Sequence, residues 1–471
     1  MGYHWENNAP RKGRGSVLEI PLDRSVDISL YRQIALHLRR MVESGALPHG
    51  ERLPGSRELA GDLGVSRTTV TLAYDLLEDD GFIEQMDRRG SYVVWKKSRI
   101  RPPALEEDVT WDMASGSPSA DLVPWERLAS LSREVFLARG PELLQGVPSA
   151  GLPALRRSLV RHSATRGIPA RWEDVVVTAG VQQGLFVALR SLGRMGAKKV
   201  WIEELTYPDV KTMASLAGLE LGAIPMDPEE MIGRVSSMGR TDVLYLVPSF
   251  QNPTGRTIPL DARRALLSEA SRRGVWIIED DAYGEFRYGD ESVPALRAME
   301  EADRVIYLGS FSQLLFPGLR HGYVLCPENV MPVFLETLEI AAGMVSALVQ
   351  HVVLAFIEEG GLSWSLSAAR GAVASRMSAL CRALSELPFP FFFNQPCGGI
   401  YLWLETPGLG GDRAASLALG GDVAVTPGSI FAFDSRDMEA VRLSVSRLDS
   451  AEIPHAVNGL KRAWERDFGS A

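Results

Sequence analysis

Seven polar residues near the N-terminus have the chemistry to bind a nucleic acid: Arg57, Ser66, Arg67, Thr68, Thr69, Arg88 and Arg89. Ser66 directly precedes a pattern of helical spacing, so the next residues occupy the first turn of a helix, where N–H groups and the helix dipole attract phosphate. Arginine at such a point can reach phosphate or the O6/N7 edge of guanine, and arginines in a later turn can enter the minor groove. These residue types and spacings favour a DNA-binding surface.

A second set of polar residues lies in the body of the chain, after apolar runs. Val181 and Gln182 open a helical segment, where their N–H groups are suited to a phosphate. Asp280 ends a run of apolar residues, and an ionised carboxylate buried there needs a cation or several hydrogen bonds. Arg442 can bind both oxygens of a carboxylate with its planar guanidinium, and Arg447 is a second candidate. These groups have the chemistry to bind charged parts of a ligand.

Short helices and a hairpin must position the N-terminal residues. Apolar groups at helical spacing predict a helix over 29–44, a second over 56–63 and a third that begins at Arg67. The tight turn at Gly64 between the last two is typical of helix-turn-helix proteins. Two alternating segments joined by 86–90 predict a strand hairpin, the wing. The structural alternative is a packing module of three helices with solvated arginines.

From Trp111 onward, helix-like and strand-like segments alternate. Apolar β-branched runs without alternation predict a mostly parallel sheet that is buried on both faces, and ligands bind such sheets at the carboxyl ends of the strands. The residues that precede Trp111 are first basic, then include prolines, and are finally acidic. This composition is typical of a linker. We predict an N-terminal tail over 1–24, a DNA-binding domain over 25–95, a linker over 96–110 and a second domain over 111–471.

Composition limits the possible classes of protein. The 471 residues are 45% apolar and 23% charged, which suits more than one domain with a large core. A net charge of −9 is compatible with DNA binding only if positive groups concentrate on one face. Three cysteines without paired spacing argue against a disulfide framework or a metal site, and with no signal peptide we expect the cytoplasm. The apolar segment 340–356 contains Gln350 and His351, so we expect a buried or interface helix and no membrane span.

The N-terminal segments resemble the winged helix-turn-helix domain of the GntR family. The matching segments are Leu53-Pro54-Gly55-Ser56-Arg57, Leu63-Gly64-Val65-Ser66-Arg67-Thr68-Thr69-Val70 and Ala73-Tyr74-Asp75-Leu76-Leu77. The resemblance implies binding to a specific operator in double-stranded DNA.

The body resembles the fold-type I aminotransferases, which use pyridoxal phosphate (PLP). The matching segments include Thr178-Ala179-Gly180-Val181-Gln182-Gln183-Gly184, Asn252-Pro253-Thr254-Gly255 and Ser310-Phe311-Ser312-Gln313. The resemblance implies an α/β PLP-dependent-transferase-like domain with a smaller C-terminal α/β subdomain. It assigns the cofactor to Val181, Gln182, Tyr207, Asn252, Asp280, Tyr283, Ser310, Ser312, Gln313 and Arg320. It also places Asp280 on the pyridinium nitrogen and Arg442 or Arg447 on a substrate or effector carboxylate.

Gln313 stands where this resemblance requires a lysine. The family's lysine holds PLP as a Schiff base, and an amide nitrogen cannot lose a proton and attack an aldehyde at neutral pH. Of the seven lysines in the chain, Lys211 alone follows a site segment, four residues after Tyr207. We therefore expect no catalytic residue, no ordinary transamination, and PLP or pyridoxamine phosphate (PMP) held noncovalently if it is bound at all.

A GntR-type domain followed by an aminotransferase-like body resembles the MocR family of bacterial transcription regulators. That resemblance implies a head-to-tail homodimer in which a small-molecule effector changes the geometry of DNA binding. Two alternatives remain open: a working PLP-dependent aminotransferase or lyase that carries a DNA-binding domain, and a dimerisation scaffold without a ligand. Gln313 argues against the working enzyme, which needs a lysine at this position. A chromophore bound to the purified protein would exclude the scaffold without a ligand.

Overall fold

The structure, a computed structural model, describes residues 20–22, 29–43, 46–79, 81–86, 90–94, 109–289, 293–299 and 302–468. The chain divides into two compact units, Met1–Glu107 and Asp108–Ala471. Arg88, Arg89 and most of the predicted tail and linker lie outside the described residues. Each unit has buried apolar clusters of its own.

The first unit contains three helices and a hairpin: α1 (Leu30–Glu43), α2 (Ser56–Leu63), α3 (Arg67–Asp79), β1 (Ile83–Met86) and β2 (Gly90–Val93). Helix α1 packs against α3, and Ile34, Leu38 and Val70 are buried between the elements. Gly64 ends α2 with φ 60°, a left-handed conformation that glycine adopts without strain, and so permits the tight turn into α3. Strands β1 and β2 pair in antiparallel register. The predicted winged helix-turn-helix is confirmed.

The second unit alternates helices and strands. Its helices are α4 (Trp125–Leu143), α5 (Pro153–Thr165), α6 (Val181–Arg194), α7 (Asp209–Ala217), α8 (Pro228–Val235), α9 (Leu260–Arg273), α10 (Met331–Ala342), α11 (Ala347–Glu358), α12 (Gly361–Ser385), α13 (Gly411–Gly420) and α14 (Ile453–Phe468). Its strands are β3 (Trp111–Asp112), β4 (Val175–Thr178), β5 (Lys199–Glu203), β6 (Glu220–Ile224), β7 (Asp242–Leu246), β8 (Trp276–Asp280), β9 (Val305–Ser310), β10 (Gly322–Leu325), β11 (Tyr401–Glu405), β12 (Val423–Ala424), β13 (Thr426–Pro427) and β14 (Ala440–Ser444).

A seven-stranded sheet forms the centre of this unit, in the order β4-β10-β9-β8-β7-β5-β6. Strand β10 is antiparallel to both of its neighbours, and the pairings from β9 to β6 are parallel. Residues of β4, β8 and β10 are buried throughout, as expected for strands covered on both faces. The predicted mostly parallel sheet of an aminotransferase-type fold is confirmed.

A smaller C-terminal part is built on a second sheet, β11-β14-β13, with antiparallel pairing. The first strand of the unit belongs to this part, because β3 pairs in parallel with β12. Met113 continues the contact, since its N–H donates to the carbonyl of Ala424 at 2.9 Å and its carbonyl accepts from the N–H of Ser444 at 2.8 Å. The segment that follows the predicted linker is therefore held by the C-terminal part of the fold.

The single apolar helix expected over 340–356 is wrong. Helix α10 ends at Ala342, Gly343 has φ 66°, and α11 begins at Ala347 after its Ser346 cap. The residues before the break are exposed, with Ile340 at 82%, whereas α11 is largely buried. A left-handed glycine therefore divides the apolar run into two helices with different environments. Among the described helices, none is long and apolar enough to cross a membrane.

Candidate functional site

An anion-binding cup lies at the N-terminus of α6. Gly180 caps this helix with φ 89°, and Val181 and Gln182 are its first residues. A Cβ atom on Gly180 would lie 3.7 Å from both the Nη2 atom of Arg320 and the Oγ atom of Ser312. A guanidinium, a hydroxyl and the N–H groups of a first helical turn thus face one point. That combination binds phosphate.

Two further predicted residues border the cup. Ser310 ends β9, and its Oγ accepts a hydrogen bond from the N–H of Ser312 at 3.1 Å. The hydroxyl of Tyr207 donates to Asp209 at 2.6 Å. Burial raises the pKa of Tyr207, and the charges of Asp280 and Arg320 both act on it. Tyr207 therefore lies near the cup and near the acidic group described next.

Asp280 is a buried carboxyl at the end of β8, exposed by only 5%. It accepts hydrogen bonds from the hydroxyl of Tyr245 at 2.8 Å and from the N–H of Ala282 at 3.1 Å. Burial still raises its pKa to about 6. Glu203 ends the nearby strand β5, where it accepts from the N–H of Val247 at 3.1 Å, and burial raises its pKa to about 8. A cationic group placed at Asp280 would stabilise its ionised form.

A buried guanidinium lies on the C-terminal side of the pocket. The Nη1 atom of Arg442 donates to the Oδ1 atom of Asn252 at 3.0 Å. Its Nη2 atom donates to the carbonyl of Ala114 at 2.7 Å and to the Oγ1 atom of Thr426 at 3.1 Å. The ring of Tyr401 covers the guanidinium at 4.1 Å. Asn252 and Arg442, predicted for different parts of the ligand, are therefore in direct contact.

Gln313 lies close to the aromatic wall of the same site. A Cβ atom on Gly116 would lie 3.7 Å from the Nε2 atom of Gln313 and only 2.2 Å from the hydroxyl of Tyr401. The hydroxyl of Tyr283 donates to that of Tyr401 at 3.3 Å. The amide of Gln313 and two phenols are thus gathered around a glycine that has no room for a side chain.

Two predicted residues have other partners. Arg447 is 47% exposed in its side chain and forms an ion pair with Asp112 at 3.8 Å, so only Arg442 adjoins Asn252. The ammonium of Lys211 donates to the carbonyl of Ala432 at 2.5 Å. Arg447 and Lys211 therefore both have structural partners other than Gln313.

Several residues of the pocket were missed by the sequence analysis. Tyr245 is hidden in an apolar strand, and no sequence signal marks its hydrogen bond to Asp280. Ala114 contributes only a carbonyl, from a segment 328 residues away from Arg442. Glu203 and Tyr401 also received no role, although the position of Glu203 at the end of a strand was a usable signal.

The predicted DNA-binding residues that the structure describes lie at the starts of α2 and α3. The Oγ atom of Ser66 accepts from the N–H of Thr69 at 3.1 Å and contacts its hydroxyl at 2.8 Å, which caps α3. The Nε atom of Arg67 donates to the Oγ atom of Ser56 at 3.3 Å, and Arg57 and Thr68 are exposed. The structure therefore brings Arg67 to the start of α2, on a surface with exposed polar groups.

Comparison with known proteins matches both units. Residues 30–93 match the model of the bacterial regulatory proteins of the gntR family, and residues 111–460 match that of aminotransferase class I and II. The probable rhizopine catabolism regulatory protein MocR of Rhizobium meliloti is 27% identical over 94% of this chain and 95% of its own length. The pyridoxine biosynthesis transcriptional regulator PdxR of Corynebacterium glutamicum is 28% identical over 92% of this chain and 98% of its own.

Enzymes match about three quarters of the chain. The 2-aminoadipate transaminase of Thermus thermophilus is 32% identical over 74% of this chain and 89% of its own length. The crystal structure of LysN, an α-aminoadipate aminotransferase of Thermus thermophilus, is 30% identical, with a TM-score of 0.70 over 76% of this chain and 93% of that one. Because the full-length relatives combine both units, the chain belongs to the MocR-type regulators of the GntR family, DNA-binding transcription regulators with a class I and II aminotransferase domain.

Proposed function

We propose that the aminotransferase-like domain senses a small ligand, such as PLP, PMP or an amino compound, and does not turn it over. The observation that carries this proposal is Gln313. It lies beside Tyr401 and Gly116 at the ligand pocket, and by resemblance it occupies the position of the Schiff-base lysine. An amide offers hydrogen bonds but no nucleophilic amine.

The residues of the pocket fit a phosphorylated, cationic ring. The cup formed by Gly180, Ser312 and Arg320 suits the phosphate. Asp280 is a buried acid with a raised pKa, and a protonated ring nitrogen would supply the cation that it lacks. Tyr207 is near both groups and would stack on the ring. PLP supplies an electron sink for amine chemistry when it is bound.

Asn252 and Tyr283 would contact the phenolic oxygen of such a ring. Both are buried, and each is already oriented by a partner, Arg442 for Asn252 and Tyr401 for Tyr283. This orientation reduces the side-chain freedom that binding would otherwise remove. The relative named as a regulator of pyridoxine biosynthesis makes vitamin B6 phosphates the first compounds to test.

A ligand carboxylate would bind Arg442 by competing with a backbone carbonyl. The carbonyl of Ala114 accepts from Arg442 at 2.7 Å, and Ala114 follows β3 closely in the chain. Because β3 begins just after the predicted linker, loss of this hydrogen bond would remove one of the contacts that hold the segment leading to the DNA-binding domain. This competition offers a route from ligand binding to the operator-binding domain, which we propose acts in a cytoplasmic homodimer.

The two other functions make different demands on the protein. An active aminotransferase or lyase needs an amine at the pocket, and the closest candidate, Lys211, bonds to Ala432. A scaffold without a ligand would keep Asp280 buried with no cation beside it. The domain boundaries at 1–24, 25–95, 96–110 and 111–471 form part of this proposal.

The test is the covalent state of bound PLP. The purified protein incubated with PLP should lose it on dialysis, and borohydride should fix none of it to the chain. Gln313→Lys should retain PLP, show the visible absorbance of an internal Schiff base and become reducible by borohydride. A borohydride-stable adduct in the unaltered protein would exclude the proposal, as would a Gln313→Lys variant that binds no PLP.

A further inference from the structure

Arg52 lies on the segment between α1 and α2. The N–H of Gly50 donates to the carbonyl of Val93 at 2.7 Å, and the N–H of Leu53 donates to that of Ser91 at 2.9 Å. Arg52 itself forms an antiparallel bridge with β2. Residues 50–53 therefore lie antiparallel to β2, joined to it by this bridge and these hydrogen bonds. Leu53 is buried and Arg52 is exposed, as alternation along a strand requires.

The guanidinium of Arg52 extends along β2 to the tip end of the wing. A Cβ atom on Gly90 would lie 2.9 Å from the Nε atom of Arg52 and 3.2 Å from its Nη2 atom. Gly90 is the first residue of β2 and has φ 105°. The absence of a side chain at Gly90 thus leaves the space that the guanidinium occupies. Within the described residues Arg52 has no ion-pair partner.

The same segment connects the wing to the start of α3. The carbonyl of Pro54 accepts from the hydroxyl of Tyr74 at 2.8 Å, and Ser56 accepts from Arg67 at 3.3 Å. Four residues of chain span at most about 14 Å, so Arg52 is within that distance of Ser56. A duplex presents one phosphate charge per about 1.7 Å of its axis. A duplex seated on α3 therefore offers phosphates within reach of Arg52.

We propose that Arg52 binds a phosphate of the DNA backbone at the end of the wing, where Gly90 leaves space for its guanidinium. The inference rests on DNA binding by the first unit, and it extends the contact surface from the N-termini of the helices to the wing. A phosphate contact fixes the position of the protein on the duplex without reading a base. Its effect must therefore appear on duplexes of any sequence, so the operator need not be known.

The experiment measures the affinity of the full-length protein for a short, fluorescently labelled duplex of arbitrary sequence, at several salt concentrations. Arg52→Gln should lower the slope of log affinity against log salt by about 0.9, and the affinity at 0.1 M salt by about 5-fold. Arg52→Lys should restore most of the loss.

The matched control is Arg32→Gln. Arg32 is an exposed arginine on α1, stacked 5.9 Å from the ring of Tyr31, and its replacement changes the net charge equally. Equal slopes for the Arg52→Gln and Arg32→Gln variants would reduce the effect to net charge and overturn the proposal. An Arg52→Gln variant with an unchanged slope would also overturn it. If the unaltered protein binds no duplex, DNA binding itself fails, which is a separate result. Thermal unfolding of each variant shows whether the wing remains folded.

Discussion

The two ends of the candidate ligand pocket differ in which aminotransferase-type groups they contain. At one end, Gly180, Ser312 and Arg320 form a phosphate-type cup, and Asp280 provides a buried carboxyl. At the other end, the amide of Gln313 lies beside phenols and a glycine. In the proposed function, the first end holds the cofactor and the second lacks the amine that would make it react. Affinity and chemistry thus depend on different residues.

Asp280→Asn should weaken ligand binding at the end of the pocket that contains the cup and Asp280. The variant keeps the shape of the side chain but removes the charge that pairs with a ring cation, so PLP and PMP affinity should fall about 100-fold. Equilibrium dialysis or fluorescence quenching measures the loss. Because the pKa of Asp280 is about 6 in the unliganded site, affinity in the unaltered protein should rise as pH increases through 6. Unchanged affinity in the variant would show that the ring does not bind at Asp280.

Arg442→Lys should sharpen the comparison, because it affects carboxylate-bearing ligands and spares the cup. Lysine cannot reproduce the bonds from one guanidinium to Asn252, Ala114 and a ligand, so the affinity for amino acids in the presence of PLP should fall about 10-fold. The affinity for PLP alone should fall less, through loss of the hydrogen bond by which Arg442 orients Asn252. Calorimetric titration measures both. Arg447→Lys is the matched control, and an equal loss in that variant would remove Arg442 from the proposed role.

Glu203→Gln tests the electrostatic cost of burying an acidic side chain near Asp280. Folding raises the pKa of Glu203 from 4.5 to about 8, so between these pH values the folded protein holds a proton that the unfolded chain has released. This group therefore makes the free energy of unfolding decrease with pH in that window, by about 1.4 kcal/mol per pH unit. The variant should show a correspondingly flatter dependence in denaturant titrations. Glu204→Gln, at an exposed neighbouring position, should keep the original slope.

The sequence was sufficient for features that are local in the chain. The three helices of the first unit and the Gly64 turn follow from spacing and caps within about fifty residues, and the structure agrees closely. The mostly parallel sheet also followed, because strands buried on both faces appear as unbroken apolar runs. The prediction of a single helix over 340–356 was wrong because of Gly343. An apolar run does not show where a glycine takes a left-handed conformation.

The sequence was insufficient for contacts between distant segments. The bonds from Arg442 to Ala114 and from Tyr245 to Asp280 depend on how the folded elements meet, and a backbone carbonyl has no residue type to recognise. The space at Gly90 filled by Arg52 is a contact of the same kind. Motifs thus predicted the segments of the candidate pocket, but they did not predict which groups form hydrogen bonds with one another.

The pairing of β3 with β12 also constrains how the protein is made. The two segments are separated by 312 residues, as the contact between Thr110 and Asp422 shows, so β3 has no partner until nearly the whole chain has left the ribosome. The first unit has an apolar core of its own and needs no such delay. A chain still in synthesis, or one truncated before Val423, would therefore have a folded DNA-binding domain while β3 is still unpaired.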